Sequence, residues 1–235
     1  MQRYFAHIVN NTVQLSRDDE HHITHVMRMR AGDQLEVVES SKLYICEISS
    51  ISPLKVVVKQ RKEEDVELNK HVTLFFALAK GDKIDLVIQK ATEIGVHRIV
   101  LFKSRRCVVN YDDKDVSKKL ERYQKIAKEA SEQCHRLMVP EIVGVVDLKG
   151  LKPYLEDVNY VAYEKEAGQT GESFNLPEDI KGLSIMIGSE GGFDEDEIND
   201  LVSEGFIKVS LGKRILRCET AAIYALSVIA FKLER

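Results

Sequence analysis

From residue 1 to about residue 60 apolar and polar positions alternate in short runs: Tyr4 to Val9, Thr12 to Leu15, Gln34 to Val38, Leu43 to Ile51 and Leu54 to Val58. A period of two predicts strands, and the Asn-Asn, Gly-Asp, Ser-Ser and Ser-Pro pairs between them are turn formers. Short strands at this spacing predict a small β-barrel. One helical insert interrupts it, starting at Ser16 with Asp19 three residues on as a weak capping-box variant, and carrying Ile23, Val26 and Met27 on one face. The charged stretch Lys59-Gln-Arg-Lys-Glu-Glu-Asp-Val-Glu67 then reads as a linker. The first domain is expected over residues 1–68 and the second over 72–235.

In the second domain strands alternate with longer helical patterns, which signals an α/β fold with a largely parallel sheet. The strands are expected at Val72 to Leu78, Arg98 to Phe102, Glu141 to Val146, Tyr160 to Tyr163, Leu183 to Ile187 and Lys208 to Leu211. Asp82 to Ile94 has Ile84, Val87, Ile88 and Ala91 at helical spacing and stops at Gly95, a favoured left-handed cap. Val116 to Cys134 is a second helix. Thr220 to Leu233 is a third, with Thr220 as N-cap, and it is apolar around almost its whole circumference. Such a helix must be buried, with ligand loops on one side and a second subunit on the other as its expected cover.

Twice near the C-terminus an apolar strand runs into a glycine turn, as Leu183-Ser-Ile-Met-Ile-Gly-Ser-Glu-Gly-Gly-Phe193 and as Val209-Ser-Leu-Gly-Lys-Arg-Ile-Leu-Arg-Cys-Glu-Thr-Ala-Ala222. Glycine lets backbone approach a ligand closely, and loops after buried strands are where open α/β sheets place small molecules. The two turns therefore predict one pocket. A phosphate cradle is argued against by Asp194, Glu195, Asp196 and Glu197, which follow the first turn and would occupy the positive end of the next helix. The pocket reads as one for a neutral or cationic ligand. Neither the dinucleotide fingerprint nor the Walker loop is present, which counts against a nucleotide-dependent oxidoreductase.

Composition changes this picture little. The chain has 235 residues, 44% hydrophobic and 31% charged, as expected of a soluble globular protein. No apolar run approaches the roughly 18 residues that cross a bilayer, and Met1-Gln-Arg-Tyr-Phe-Ala-His lacks a signal-peptide core, so a cytoplasmic protein without membrane association is expected. Cys46, Cys107, Cys134 and Cys218 are scattered without a Cys-x-x-Cys pair and read as reduced thiols.

Charge changes it more. The net charge is −4, yet residues 80 to 140 hold 14 Lys+Arg against 9 Asp+Glu while residues 141 to 235 hold 10 against 18. The basic middle, with Lys103-Ser-Arg-Arg106 followed by Lys114, Lys118, Lys119, Arg122, Lys125 and Lys128, can form a positive face for phosphates or a solvated helix surface. Arg3, Arg28 and Arg30 lie on the expected barrel, a surface that barrel-type RNA modules use, although ordinary barrels carry arginines too. Arg105, Arg106, Gln133 and Arg136 join them as candidate RNA contacts; Glu129, Glu132, Gln133 and Arg136 share a helix face that can read a base edge or simply end a helix in ion pairs. His21, His22 and His25 do not form His-Glu-x-x-His, and no metal is expected. Arg214, Arg217 and Glu219 sit in the second glycine loop, held at both ends, where polar groups can be placed accurately against a ligand.

Several strings carry a resemblance. Ile187-Gly-Ser-Glu-Gly-Gly-Phe193, Leu211-Gly-x-Arg-Ile-Leu-Arg-x-Glu-Thr-Ala221, Lys80-Gly-Asp-Lys-x-Asp-x-x-Ile-Gln-Lys-Ala-Thr-Glu-Ile-Gly95 and Glu132-Gln-Cys-x-Arg136 resemble the ribosomal RNA small subunit methyltransferase E family, and the Arg3-Tyr-Phe start fits it. The resemblance implies an S-adenosylmethionine-dependent enzyme of the SPOUT class that methylates N3 of a uridine in small-subunit ribosomal RNA; an assembled subunit is the expected form of that RNA, and the sequence leaves naked RNA open as the alternative. It implies a PUA-like N-terminal barrel, a deep trefoil knot in the α/β domain and a homodimer formed through that domain. By the same resemblance the cofactor is held by the strand end Ala162-Tyr163-Glu164, by Gly188, Glu190, Gly191 and Gly192, and by Leu211, Gly212, Ile215, Leu216 and Thr220. Arg217 would stabilise a uracil anion, and Glu219 would accept a proton or orient that arginine. One departure is visible, because the family usually has proline where Ser189 stands. A non-catalytic RNA-binding or ribosome-assembly protein is the alternative, and binding of S-adenosylmethionine separates the two.

Overall fold

A computed structural model describes residues 1–109, 111, 113–163 and 174–234, without the side chains of 113–115. The chain divides into two units, Met1–Glu67 with Ser131–Val139, and Leu68–Ala130 with Pro140–Arg235. Among the described residues no helix is long and apolar enough to cross a membrane.

In the first unit the strands are β1 (Arg3–Phe5), β2 (His7–Val9), β3 (Thr12–Gln14), β4 (Gln34–Glu39), β5 (Lys42–Ile51) and β6 (Leu54–Lys62). They form one sheet in the order β1-β4-β5-β6-β3-β2. Its two outer strands, β1 and β2, are consecutive in the chain with Ala6 alone between them, so the sheet curls back on itself as a barrel must. Asn10-Asn11 and Ser40-Ser41 turn the hairpins with positive φ at both positions, the geometry that matches strand twist. Alternate side chains Leu35, Val37, Cys46, Ile48 and Val56 fill the interior with Tyr4, Val13 and Ile23. The helical insert is α1 (Arg17–His21), capped by Ser16 as expected, and it continues into a π-helical turn over His22–Val26.

Two features differ from the sequence expectation. Strand β6 runs to Lys62, into the supposed linker, because Gln60, Arg61 and Lys62 continue the ladder opposite Ile45, Tyr44 and Leu43. Residues 131–139 also belong to this unit. Arg3, with no exposed side-chain surface, donates to Glu36 at 2.9 Å, to Glu64 at 2.6 Å and to the carbonyl of His135 at 2.5 Å. Arg136 pairs with Glu67 at 2.6 Å, and Leu137 packs on Val38 and Leu43. A buried guanidinium needs such partners, and they fix the segment in place.

The second unit holds β7 (His71–Ala77), α2 (Lys83–Ile94), β8 (Arg98–Lys103), most of α3 (Asp113–Gln133), β9 (Glu141–Asp147), a 3-10 turn (Leu148–Tyr154), β10 (Val158–Ala162), β11 (Gly182–Ile187), α4 (Glu195–Ser203), β12 (Phe206–Val209) and α5 (Cys218–Leu233). Its sheet has the order β12-β10-β11-β7-β8-β9, and every pairing is parallel. Strand β11 is buried at every position, which is why its sequence reads as an unbroken apolar run. Phe75, Val100, Phe102, Val161, Met186, Phe193 and Phe206 build the core beneath the site. Strands β10 and β12 each begin two residues before the expected start; β12 follows directly on the turn at Gly205, so Ser210 and Leu211 are already loop. Helix α5 starts at Cys218 with Arg217 as its N-cap, so Thr220 lies inside the helix.

Candidate active site

The loops after β11 and β12 meet the end of β10 around one cavity of about 510 Å³. Its walls include Ala162 and Tyr163, the run Ile187 to Phe193, Ser210 to Gly212, Arg214 to Cys218, Lys83 and Ala221. The parallel sheet accounts for this: β10, β11 and β12 are neighbours, so their C-terminal ends open on the same edge. Gly188 must be glycine, since a Cβ there would lie 2.9 Å from the Phe193 ring and 3.4 Å from the Gly192 backbone. Phe193 is 1% exposed and stacks on Phe102, so it cannot give way.

Glu190 is tied into the wall. It accepts from the backbone N–H of Lys80 at 3.1 Å and from the Lys83 ammonium at 2.6 Å. Partial burial alone would raise its carboxyl pKa, but these donors outweigh burial and hold it below the usual carboxylate range. Lys83 is held above its ordinary range, first by the hydrogen bond to Glu190, against partial desolvation, with the charge of Glu219 adding to it. At the start of α5 the Cys218 thiol donates to Glu219 at 3.3 Å. Burial pushes that thiol up to about 12, with Glu219 and Glu190 adding, so it stays protonated at neutral pH and is no nucleophile. Lys83, Glu190, Cys218 and Glu219 thus bring three separate stretches of chain together at the cavity.

After the first turn, Asp194 caps α4 in a complete capping box with Glu197. The four carboxylates do occupy the helix end that a phosphate would need. The wall also contains an orphan: Ser189 is 5% exposed, and its hydroxyl has no hydrogen-bond partner among the described residues. The lining therefore carries fixed charge of both signs, Glu190 paired with Lys83 and, from the second loop, Arg214 and Arg217, while the capped end of α4 leaves no phosphate cradle and the Ser189 hydroxyl offers a polar contact.

Of the residues expected at the cofactor, Ala162, Tyr163, Gly188, Glu190, Gly191, Gly192, Leu211, Gly212, Ile215 and Leu216 line this cavity. Thr220 is exposed and is not among the lining residues, because α5 begins two residues earlier than expected. Glu164 lies outside the described residues. Arg217 lines the cavity; Glu219 is not among the lining residues and accepts from the thiol of Cys218, which is. Lys83 and Cys218 line the cavity without having been expected there; Lys83 opens α2 inside the Lys-Gly-Asp-Lys string, where helical periodicity accounts for it without a ligand.

The expected RNA contacts separate into two groups. Arg28, Arg30, Arg105, Arg106 and Gln133 are exposed. Arg3 and Arg136 are corrected: at 2% and 3% exposure, with carboxylates and backbone carbonyls filling their donors, they are structural and cannot meet a phosphate. The rings of His21 and His25 stack 4.7 Å apart. Among the described residues no cluster of three or more His, Cys, Asp or Glu side chains could hold a metal ion.

Comparison with known proteins gives this fold its class. An RNA methyltransferase domain matches residues 66–230, and an RNA methyltransferase PUA domain matches residues 15–60. Ribosomal RNA small subunit methyltransferase E of Bacillus subtilis is 39% identical over 254 residues, spanning 100% of this chain and 98% of that protein. The protein of that name from Buchnera aphidicola of Schizaphis graminum is 32% identical, over 98% of this chain and 94% of its own. The crystal structure of a ribosomal RNA small subunit methyltransferase E from Neisseria gonorrhoeae, bound to S-adenosyl methionine, superimposes with a TM-score of 0.87 at 25% identity, covering 99% of this chain and 98% of that one. The chain belongs to the ribosomal RNA small subunit methyltransferase E family.

Proposed function

We propose that the protein uses S-adenosylmethionine to methylate small-subunit ribosomal RNA, at N3 of a uridine. The observation that carries this reading is the cavity itself: two glycine loops close on it, and ten of the residues that the family resemblance nominated for the cofactor, Ala162, Tyr163, Gly188, Glu190, Gly191, Gly192, Leu211, Gly212, Ile215 and Leu216, are among those that line it. When bound, S-adenosylmethionine supplies a methyl carbon activated by an adjacent sulfonium. Backbone of the Gly188–Gly192 turn and of the Leu211–Leu216 loop would hold it.

The protein's own groups do the remaining work. Arg217, exposed at the cavity, stabilises the negative charge that a uracil ring acquires when N3 loses its proton, by donating to a ring oxygen. Glu219, beside it on the first turn of α5, takes that proton or orients Arg217. Arg28, Arg30, Arg105, Arg106 and Gln133 hold the RNA, with the assembled subunit as substrate. The knot implied by the resemblance belongs to this reading, and so does the homodimer. Support for a dimer comes from Tyr224 and Phe231, seven residues apart on α5 and 48% and 56% exposed, with Leu86 of α2 40% exposed.

Calorimetric titration with S-adenosylmethionine should give heat and a single site per chain; no heat removes the enzyme reading in favour of a pure RNA binder. Incubation of the purified protein with small subunits from a deletion strain, followed by mapping of the methylated nucleotide, identifies the target atom. Arg217→Ala should keep cofactor affinity and lose on the order of 100-fold in kcat, the scale of removing one charge-stabilising donor. Full methyl transfer by that variant ends the catalytic assignment of Arg217.

A further inference from the structure

Glu197, at the third position of α4, has no exposed surface. One carboxylate oxygen accepts from the backbone N–H of Asp194 at 3.1 Å and the other from the backbone N–H of Arg105 at 2.7 Å. A buried carboxylate is costly unless it is hydrogen-bonded, and here two amides and the positive end of a helix stabilise it. The two amides come from different segments: Asp194 ends the first glycine turn, and Arg105 belongs to the basic loop that follows β8.

The same segments touch again nearer the cavity. Arg106 donates to the carbonyl of Gly191 at 3.0 Å, and a Cβ on Gly191 would lie 3.0 Å from the Cβ of Arg106. The Arg105 guanidinium reaches Asp194 at 3.3 Å and Asp196 at 3.5 Å. Behind them the Cys107 thiol donates to the carbonyl of Leu78 at 3.4 Å, which anchors the loop just past the end of β7. Of the two arginines, Arg105 shares its charge with Asp194 and Asp196, whereas Arg106 hydrogen-bonds a neutral carbonyl and leaves more of its charge available to a phosphate.

We propose that Glu197 is a positioning residue, which fixes the basic loop Ser104–Cys107 against the glycine turn so that the Arg106 contact to RNA phosphate is held at a set distance from the cofactor cavity. The proposal rests on the reading of the cavity as the cofactor site and of Arg106 as an RNA contact. Orientation of the reacting base relative to the cofactor is what such a link provides, and small misplacements are expensive in rate.

The test is a double-mutant cycle on the full-length protein with Arg106→Ala, Glu197→Gln and the two combined. Glutamine keeps the size of the side chain and one acceptor oxygen, but its amide group cannot accept from the second N–H. The KM for small subunits, kcat, cofactor affinity by calorimetry and Tm are read for each variant. Expected is a rise in KM of about tenfold for either single variant, with no further rise in the combined one, since Glu197 acts through Arg106. Additive rises overturn the proposal, as does a Glu197→Gln protein whose Tm falls while KM stays. An unchanged KM in Arg106→Ala also overturns it and leaves methyl transfer standing. Absence of cofactor heat in the unaltered protein strikes the reading beneath it instead.

Discussion

The two glycine loops bordering the cavity are built differently. The first, Gly188 to Phe193, is pinned from several directions: Glu190 by Lys80 and Lys83, Gly191 by Arg106, Gly192 by the carbonyl of Ser189 at 2.9 Å, and Phe193 by burial in the core. In the second, Ser210 to Arg217, the hydrogen bonds among the described residues are local, between Ser210 and Gly212 and from the Ala221 N–H to the Arg217 carbonyl at 2.8 Å. Lys213, Arg214 and Arg217 are exposed there, and Ile215 is 87% exposed. One wall is thus formed before a ligand arrives. The other presents charge and an uncovered apolar side chain, which on the proposed reading gain their partners from cofactor, RNA or a second subunit. A preformed wall suits the part of a site that selects the cofactor, and an open one suits the part that must admit a macromolecule.

The comparison breaks most easily at Gly188. Gly188→Ala drives a methyl group into the Phe193 ring, which is held between core residues and Phe102. Overpacking of this kind costs about 1–3 kcal/mol, so Tm should fall by roughly 2–12 °C in a protein of this size. Cofactor affinity should drop at least about tenfold. The matching change in the open loop, Gly212→Ala, meets no atom within 4 Å but sits at φ +109, so its cost is backbone strain without displacement of a neighbour. Thermal melts and calorimetry on both variants check the contrast; equal losses of cofactor affinity would mean the first loop is no more preformed than the second.

Much of this architecture is legible in the sequence because it depends on local rules. The alternation of Leu35, Val37, Cys46 and Ile48, the unbroken apolar run of β11, the glycine cap of α2 and the acidic first turn of α4 all need only neighbours along the chain. What is not legible depends on tertiary partners. Arg3 and Arg136 read as surface cations until Glu36, Glu64 and Glu67 are brought to them from elsewhere in the first unit. Gln60, Arg61 and Lys62 read as a linker because a strand edge facing solvent tolerates charge, and only the register with Leu43 to Ile45 reveals them as strand. Lys83 reads as the polar start of a helix because its partner Glu190 lies 107 residues away.

Lys83→Met sharpens the same comparison by releasing one pin. The pair is partly exposed, so the loss in cofactor affinity should be modest, about 1 kcal/mol or roughly fivefold. Its pH dependence is more telling. A carboxyl held below its ordinary value of 4.5 contributes stability above that pH and loses it as pH falls through the lowered value. Burial is the largest single influence on Glu190 and acts upward. With Lys83 gone its hydrogen bond and charge no longer oppose burial, so the carboxyl pKa rises from its lowered value while the backbone N–H donors remain. The acid loss of cofactor affinity should therefore begin at higher pH in Lys83→Met than in the unaltered protein. Calorimetry between pH 4 and pH 8 reads this, and identical profiles would remove Glu190 from the preformed wall.

The smallest expected effect discriminates best, because it has opposite signs in two measurements. The buried hydroxyl of Ser189 has no hydrogen-bond partner among the described residues. An unsatisfied buried hydroxyl destabilises the fold, so Ser189→Ala should raise stability by up to about 1 kcal/mol. If the wall is preformed around the cofactor, rotation of the side chain about χ1 lets that hydroxyl find its partner on the bound ligand, and the alanine variant should bind S-adenosylmethionine a few-fold more weakly while melting at a higher temperature. A variant that gains stability and keeps its affinity would show that the hydroxyl is satisfied by solvent and plays no part in holding the ligand. One that loses stability would show that the hydroxyl is already paired before the ligand binds.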